Sequence, residues 1–215
     1  MSVVVDFVFN PFQENTYLIH DDTKKCIIID PGCYTNEEKK ILDDFIEKNG
    51  LTPERLINTH CHIDHVLGNH HIAEKYGLEL EIHKGEIEVL EALPMVAKMY
   101  GFPLYDPELK ATKFLSEEDT LKFGNTTFEI FFTPGHSPAS ISFYNEKDGY
   151  VIGGDVLFQG SIGRTDLPGG DFNTLINSIK NNFLNLPVNT KIYSGHGSPT
   201  TVGFEAQHNP FVQEV

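Results

Sequence analysis

The sequence predicts an α/β (α+β) protein of two β-sheets packed face to face with helices outside, and three observations carry that expectation. Short runs of β-branched and aromatic residues recur along the chain, each closed by Gly, Pro or Asn turns. Segments of helical period fall between them. The resulting order is strands, helix, strand, helix, strand, helix, hairpins, helix, strand. The 215 residues fit one domain, 1–215, with ample material for a core.

Taken in order, "VVVDFVF", "NTYLIH" and "KCIIIDPG" read as strands of a meander. "NEEKKILDDFIEKNG" places Ile41, Leu42, Phe45 and Ile46 at helical spacing and stops at Asn-Gly. "ERLINTH" is a short strand that runs into a histidine cluster. "VLGNHHIAEKYG" reads as a helix ending at Gly77, "LELEIH" as a strand, and "GEIEVLEALPMVAKMYGFP" as a helical region interrupted at Pro94. "TLKFGNTTFEIFFTPG" and "SISFYNEKDGYVIGGD" carry Gly-Asn and Asp-Gly between strand-like runs, the pattern of hairpins. "DFNTLINSIKNNFLNL" is a helix with Asp171 as N-cap, and "KIYSGHG" a last strand.

Composition narrows the function classes. The net charge is −15, from 31 acids and 16 bases, with no basic tract of the kind that grips phosphate backbones, so no nucleic acid partner is expected. No apolar run reaches the ~20 residues of a membrane span, and the N-terminus lacks the charged and apolar regions of a signal peptide. The expected location is the cytoplasm, with no membrane partner. Cys26, Cys33 and Cys61 form no C-x-x-C pair or disulfide framework, and Cys26 reads as a small core hydrophobe.

The chemistry is concentrated in "NTHCHIDHVLGNHH", which puts five histidines and an aspartate into fourteen residues. In an extended segment alternate residues project to one side, so His60 and His62 can reach one point. Asp64 and His65, at the turn into the next helix, aim at a second. Imidazole and carboxylate are the donors of catalytic zinc and related divalent ions. Four such donors in six residues are too many for one catalytic ion, which keeps a position open for water, so two ions are expected. Further donors stand where strands end in tight turns: His136 in "FFTPGHSP", Asp155 in "YVIGGDVLF" and His196 in "KIYSGHGSP". His20, His83 and His208 lack partner spacing. His70 and His71 lie on the following helix, His70 as a candidate hydrogen-bonder behind a ligand. Tyr144 and Tyr193 read as core.

Together these stretches resemble the metallo-β-lactamase superfamily, with "THCHIDH" standing at its T-H-x-H-x-D-H motif, and "NTYLI", "IIDPG", "TPGHSP", "GGDVLF" and "SGHG" following in order. The resemblance implies an αββα sandwich with a dinuclear site at one edge of the sheets. It implies His60, His62 and His136 on one metal, Asp64, His65 and His196 on the second, and Asp155 bridging. Two divalent ions are the implied cofactors, zinc first, with iron or manganese also accepted by this donor set. Within the superfamily, "LFQGSIGRTDLPGGD" and "MYGFPLYDP" look like the short glyoxalase II group, the hydroxyacylglutathione hydrolases. Full-length glyoxalase II enzymes continue into a helical domain that helps hold glutathione, whereas this chain has 19 residues after His196, so the resemblance speaks more for the chemistry than for the carrier thiol.

The expected activity is therefore hydrolysis of a small-molecule thioester, such as an S-(2-hydroxyacyl)glutathione, with Asp64 orienting the nucleophile and Asp155 joining the ions. Ser161 and Arg164 in "GSIGRTD" are the candidate substrate contacts, and for Arg164 an ion pair with Asp166 is the equal alternative. The rival enzyme reading is a mononuclear iron persulfide dioxygenase, which "NTHCHIDH" and "GRTD" also resemble; lactonase and β-lactamase rank lower. Outside enzymes, the rival is a metal-binding or sensing module with a closed coordination shell.

Overall fold

The computed structural model of the protein describes residues 1–213, which form two compact units. The first runs from Met1 to Leu115 and includes the hairpin tip Lys122–Thr126; the second comprises Ser116–Leu121 and the chain from Thr127.

The first unit carries a six-stranded sheet in sequential order: β1 (Val3–Phe9), β2 (Glu14–His20), β3 (Lys25–Ile29), β4 (Thr52–Ile57), β5 (Leu80–His83) and β6 (Ala111–Leu115). β1 to β3 are the antiparallel meander expected from the sequence, whereas β3 to β6 pair in parallel. Parallel neighbours require crossovers, and helices supply them. These are α1 (Asn36–Asn49), the pair α2 (Ile63–Val66) and α3 (Asn69–Tyr76), and α4 (Ile87–Tyr100). Thr35 and Glu38 close a capping box at the start of α1, and Gly50 ends it in the left-handed region at φ 60°. Leu42 and Ile46 of α1 join a core with Leu18, Cys26, Ile28, Leu56 and Ile82, while Ile41 stays exposed. Burial pushes the Cys26 thiol up to about 12, which suits its place as a small hydrophobe.

The structure departs from the sequence reading in three places here. The helix expected from Val66 is two helices parted at Gly68, whose N–H donates to the Pro31 carbonyl at 2.7 Å. Pro94 lies inside an unbroken α4, because it sits on the exposed face where water can meet the carbonyl its ring frees. The strand β6 was not expected; its "ATKFL" is mostly solvent-facing and shows little apolar alternation.

The second sheet has the order β14 (Thr200–Thr201), β13 (Lys191–Ser194), β10 (Tyr150–Gly154), β9 (Ile141–Asn145), β8 (Thr126–Phe132), β7 (Thr120–Phe123). β9 runs against both β8 and β10, and β10 pairs in parallel with β13. β8, β10 and β13 therefore share one direction and end at the same edge. A small hairpin, β11 (Leu157–Phe158) with β12 (Ser161–Ile162), follows β10. Helix α5 (Phe172–Ser178), capped by Asp171 and continued by a π-helical turn at Ile179–Phe183, packs Leu175, Ile179 and Phe183 into a core with Val151 and Ile192. The terminal helices α6 (Val202–His208) and α7 (Pro210–Gln213) were not anticipated. Two mixed sheets with their helices make the α/β class expected from the sequence.

Candidate metal centre

In the first unit the site lies beyond the carboxyl ends of parallel strands, where open α/β sheets bind ligands. β4 ends at Ile57 and the chain enters Asn58–His65; His62 is the residue before α2, and Asp64 and His65 lie within that helix. The imidazoles gather closely: the His60 ring is 4.8 Å from that of His62 and 4.2 Å from that of His65. The His65 Nε2 lies 3.7 Å from a carboxylate oxygen of Asp64. His60 and His65 are buried, His62 and Asp64 partly so.

Why the turn holds this shape is answered by Asp30, which the sequence reading passed over. It follows β3, is 1% exposed, and adopts φ 51° with no glycine to ease it. Its carboxylate accepts from the Thr59 N–H at 2.7 Å, the Thr59 hydroxyl at 2.6 Å and the Asn58 amide at 3.3 Å, and lies 3.2 Å from His65 Nδ1. Asp30 also lies within 4.8 Å of donor atoms of His60 and His65, and with these hydrogen bonds its carboxylate supports the turn. It fixes the proton of His65 on Nδ1, which leaves the Nε2 lone pair for a cation. Asn58 donates to the His65 carbonyl at 2.9 Å, and Glu86, fully buried at the start of α4, accepts from the Cys61 N–H at 2.9 Å. Gly32 is required beneath the turn: a Cβ there would lie 2.6 Å from the Asp64 carbonyl and collide with the Glu14 carboxyl group. Burial pushes that Glu14 carboxyl well above its usual range.

The second unit brings together His136, Asp155 and His196, one beyond each of β8, β10 and β13. One carboxylate oxygen of Asp155 stands 3.4 Å from His136 Nε2 and 3.5 Å from His196 Nε2. Those separations are long for hydrogen bonds. They match the roughly 3.4 Å between two donors that each sit about 2.1 Å from a tetrahedral ion. His136 Nδ1 donates to the Arg164 carbonyl at 2.7 Å, which again turns Nε2 toward the carboxylate. Gly163 lets the chain fold back here, since a Cβ would collide with the Asp155 carbonyl. The donor chemistry of both units therefore fits divalent metal, with hydrogen bonds on the far side of the His60, His65 and His136 rings.

The remaining site candidates are placed as follows. Ser161 lies in β12, and its carbonyl accepts from the Asn209 amide at 2.9 Å. Arg164 makes a bidentate pair with Asp166 at 2.7 and 2.8 Å, and that contact holds the Asp166 carboxyl down to about 2. His70 lies 3.3 Å from Asp106 and His71 3.0 Å from Asp43, so each histidine of α3 has a carboxylate of its own. Tyr144 is buried and stacked on Phe131. Sequence reasoning also missed Glu205 on α6. Fully buried, it accepts from the Gly160 N–H at 2.9 Å and the Asn209 amide at 2.8 Å, clamping the β11–β12 hairpin. Only its place on the amphipathic face of α6 could have signalled it.

Comparison with known proteins places the chain in a family. A family profile described as the metallo-beta-lactamase superfamily matches residues 9–196. The hydroxyacylglutathione hydrolase GloC of Haemophilus influenzae is 40% identical over 202 residues, 94% of this chain and 93% of the relative. Among solved structures, the BLEG-1 B3 metallo-beta-lactamase superposes with a TM-score of 0.89 at 38% identity, covering 98% of this chain and 99% of the other. TTHA1623 in a di-iron-bound form gives 0.85 at 36% identity, covering 97% and 100%.

Proposed function

The chain belongs to the metallo-β-lactamase superfamily, and from that premise we propose that it is a cytoplasmic, single-domain thioesterase of the glyoxalase II kind, acting on a small-molecule thioester with two divalent metal ions. The observation that carries the reading is the single Asp155 oxygen standing at ligand-edge distance from two histidine nitrogens. A carboxylate so placed suits a bridge between two cations. His60, His62 and His136 would hold one ion, Asp64, His65 and His196 the other. Zinc is the first candidate, and the di-iron form of a 36% identical structure makes iron the second.

Bound there, such ions would polarise a carbonyl and lower the pKa of a water to ~7. The residues of the chain do the rest. Asp64, the partly exposed donor on α2, would orient the attacking oxygen and accept its proton. His60 and His65, buried and aligned through Thr59 and Asp30, keep the site rigid and dry on its inner side. The leaving thiolate, with a pKa near ~8.5, departs without a general acid.

A β-lactam reading draws on the 38% identity to BLEG-1, but cleavage of a lactam C–N bond expels an amine nitrogen that must be protonated. The test is a hydrolysis screen of the metal-loaded protein under nitrogen, with S-lactoylglutathione, other short thioesters and a chromogenic β-lactam, beside an oxygen-uptake assay in air with glutathione persulfide. Thioester cleavage without oxygen is expected. Oxygen uptake on glutathione persulfide without thioester cleavage, or turnover of the β-lactam alone, overturns the proposal.

A further inference from the structure

The fully buried Glu205 of α6 takes donors from three separate stretches of the second unit. One of its oxygens accepts from the Gly160 N–H at 2.9 Å and the Asn209 amide at 2.8 Å, the other from the Thr200 hydroxyl. Asn209, equally buried between α6 and α7, passes the hold on, since its amide also donates to the Ser161 carbonyl at 2.9 Å. Gly160 and Ser161 belong to the β11–β12 hairpin. Thr200 opens β14 just beyond His196 and pairs with Ile192 of β13.

Both stretches border His196. The Phe158 ring, carried by β11, meets the His196 ring edge to face, with centroids 6.3 Å apart and planes at 74°. The Ser194 hydroxyl donates to the Leu157 carbonyl at 2.6 Å, and the Gly195 N–H to the Gly154 carbonyl at 2.9 Å. Those contacts place the main chain of His196, whereas its imidazole, on a side chain 28% exposed, leans on Phe158. The outer torsion of a histidine side chain is broad, so a contact on the ring narrows the direction of its donor nitrogen. Metal affinity rises with the fraction of rings already aimed.

Taking a carboxylate wholly out of water is costly, and an apolar side chain of similar volume often packs as stably. What the carboxylate adds is aim, because its two oxygens fix three donors relative to one another. We propose that Glu205 is a positioning residue of the metal centre: it holds the β11–β12 hairpin and the chain beyond His196 so that Phe158 presents the His196 imidazole to its ion. This rests on the dinuclear reading and adds a residue that touches neither ion.

The test is titration of the full-length protein, stripped of metal by chelation, with cobalt(II), whose visible absorption bands follow coordination geometry. Wild type should bind two equivalents. Glu205→Gln should match it, because the amide oxygen can accept from Gly160 and Asn209 while the amide nitrogen donates to the Thr200 hydroxyl. Glu205→Leu should bind one of the two equivalents about 10- to 100-fold more weakly, with displaced bands at saturation. Phe158→Ala leaves the three hydrogen bonds of Glu205 in place and should displace the same bands. If Glu205→Leu does not fold, Phe158→Ala decides alone. A lowered melting temperature in Glu205→Leu with wild-type bands, or wild-type bands in Phe158→Ala, overturns the positioning role while leaving the dinuclear reading standing. Bands displaced in Glu205→Gln as far as in Glu205→Leu also overturn it, by showing that charge rather than aim is at work. A single equivalent bound by wild type overturns the dinuclear reading and the positioning role with it.

Discussion

The two units build their donors in opposite ways. The first takes four from six consecutive residues, His60 to His65, and holds them with buried side chains: Asp30 on Thr59 and His65, Asn58 on the His65 carbonyl, Glu86 on the Cys61 N–H. The second takes one donor from the end of each of three co-directional strands and holds them with backbone. The Arg164 carbonyl orients His136, Gly163 makes room beside Asp155, and the Gly195 N–H ahead of His196 donates to the Gly154 carbonyl at 2.9 Å. A contiguous turn has no sheet to hold each donor separately, so polar side chains must do it. Strand ends are already placed by their ladders, and glycines and a carbonyl do most of the rest.

Substitutions should therefore act through different routes in the two units. The largest effect is expected where the donors themselves go: Asp155→Ala and His60→Ala should each abolish turnover and lose metal after dialysis, read by elemental analysis. Retention of wild-type rates by either would contradict the dinuclear reading. Next, Asp30→Ala should lower metal affinity about 10- to 100-fold through the loss of its hold on Thr59 and His65, measured by competition with a chelating dye. An unchanged affinity would mean that the first unit does not depend on its buried side chains. In the second unit the corresponding change is to backbone room. Gly163→Ala should cost about 1–3 kcal/mol in denaturant unfolding, because the added methyl meets the Asp155 carbonyl. The smallest effect belongs to Arg164→Ala. Its pair with Asp166 is exposed and should add little to stability, so a KM raised severalfold with stability unchanged would assign Arg164 to substrate.

The same contrast explains what was legible in the sequence. His60, His62, Asp64 and His65 announce themselves by spacing, and His136, Asp155 and His196 by a repeated device, a donor in the turn after an apolar strand. The strands themselves were visible because "CIII" and "YVI" are buried on both faces and so run continuously apolar. What supports the donors was not visible. Asp30 looks like an ordinary turn residue before Pro-Gly, since its partners lie 28 to 35 positions away. Glu205 reaches 45 positions back to Gly160. Pro94 misled in the other direction: a proline tends to end a helix, but an exposed one leaves its freed carbonyl to water and the helix continues.

The most direct test of the central claim is electron paramagnetic resonance of the protein titrated with manganese(II). If the donors of both units converge on one pair of ions, the second equivalent should replace the six-line spectrum of an isolated ion with the broadened signal of an exchange-coupled pair. A six-line spectrum that only doubles in intensity would contradict it.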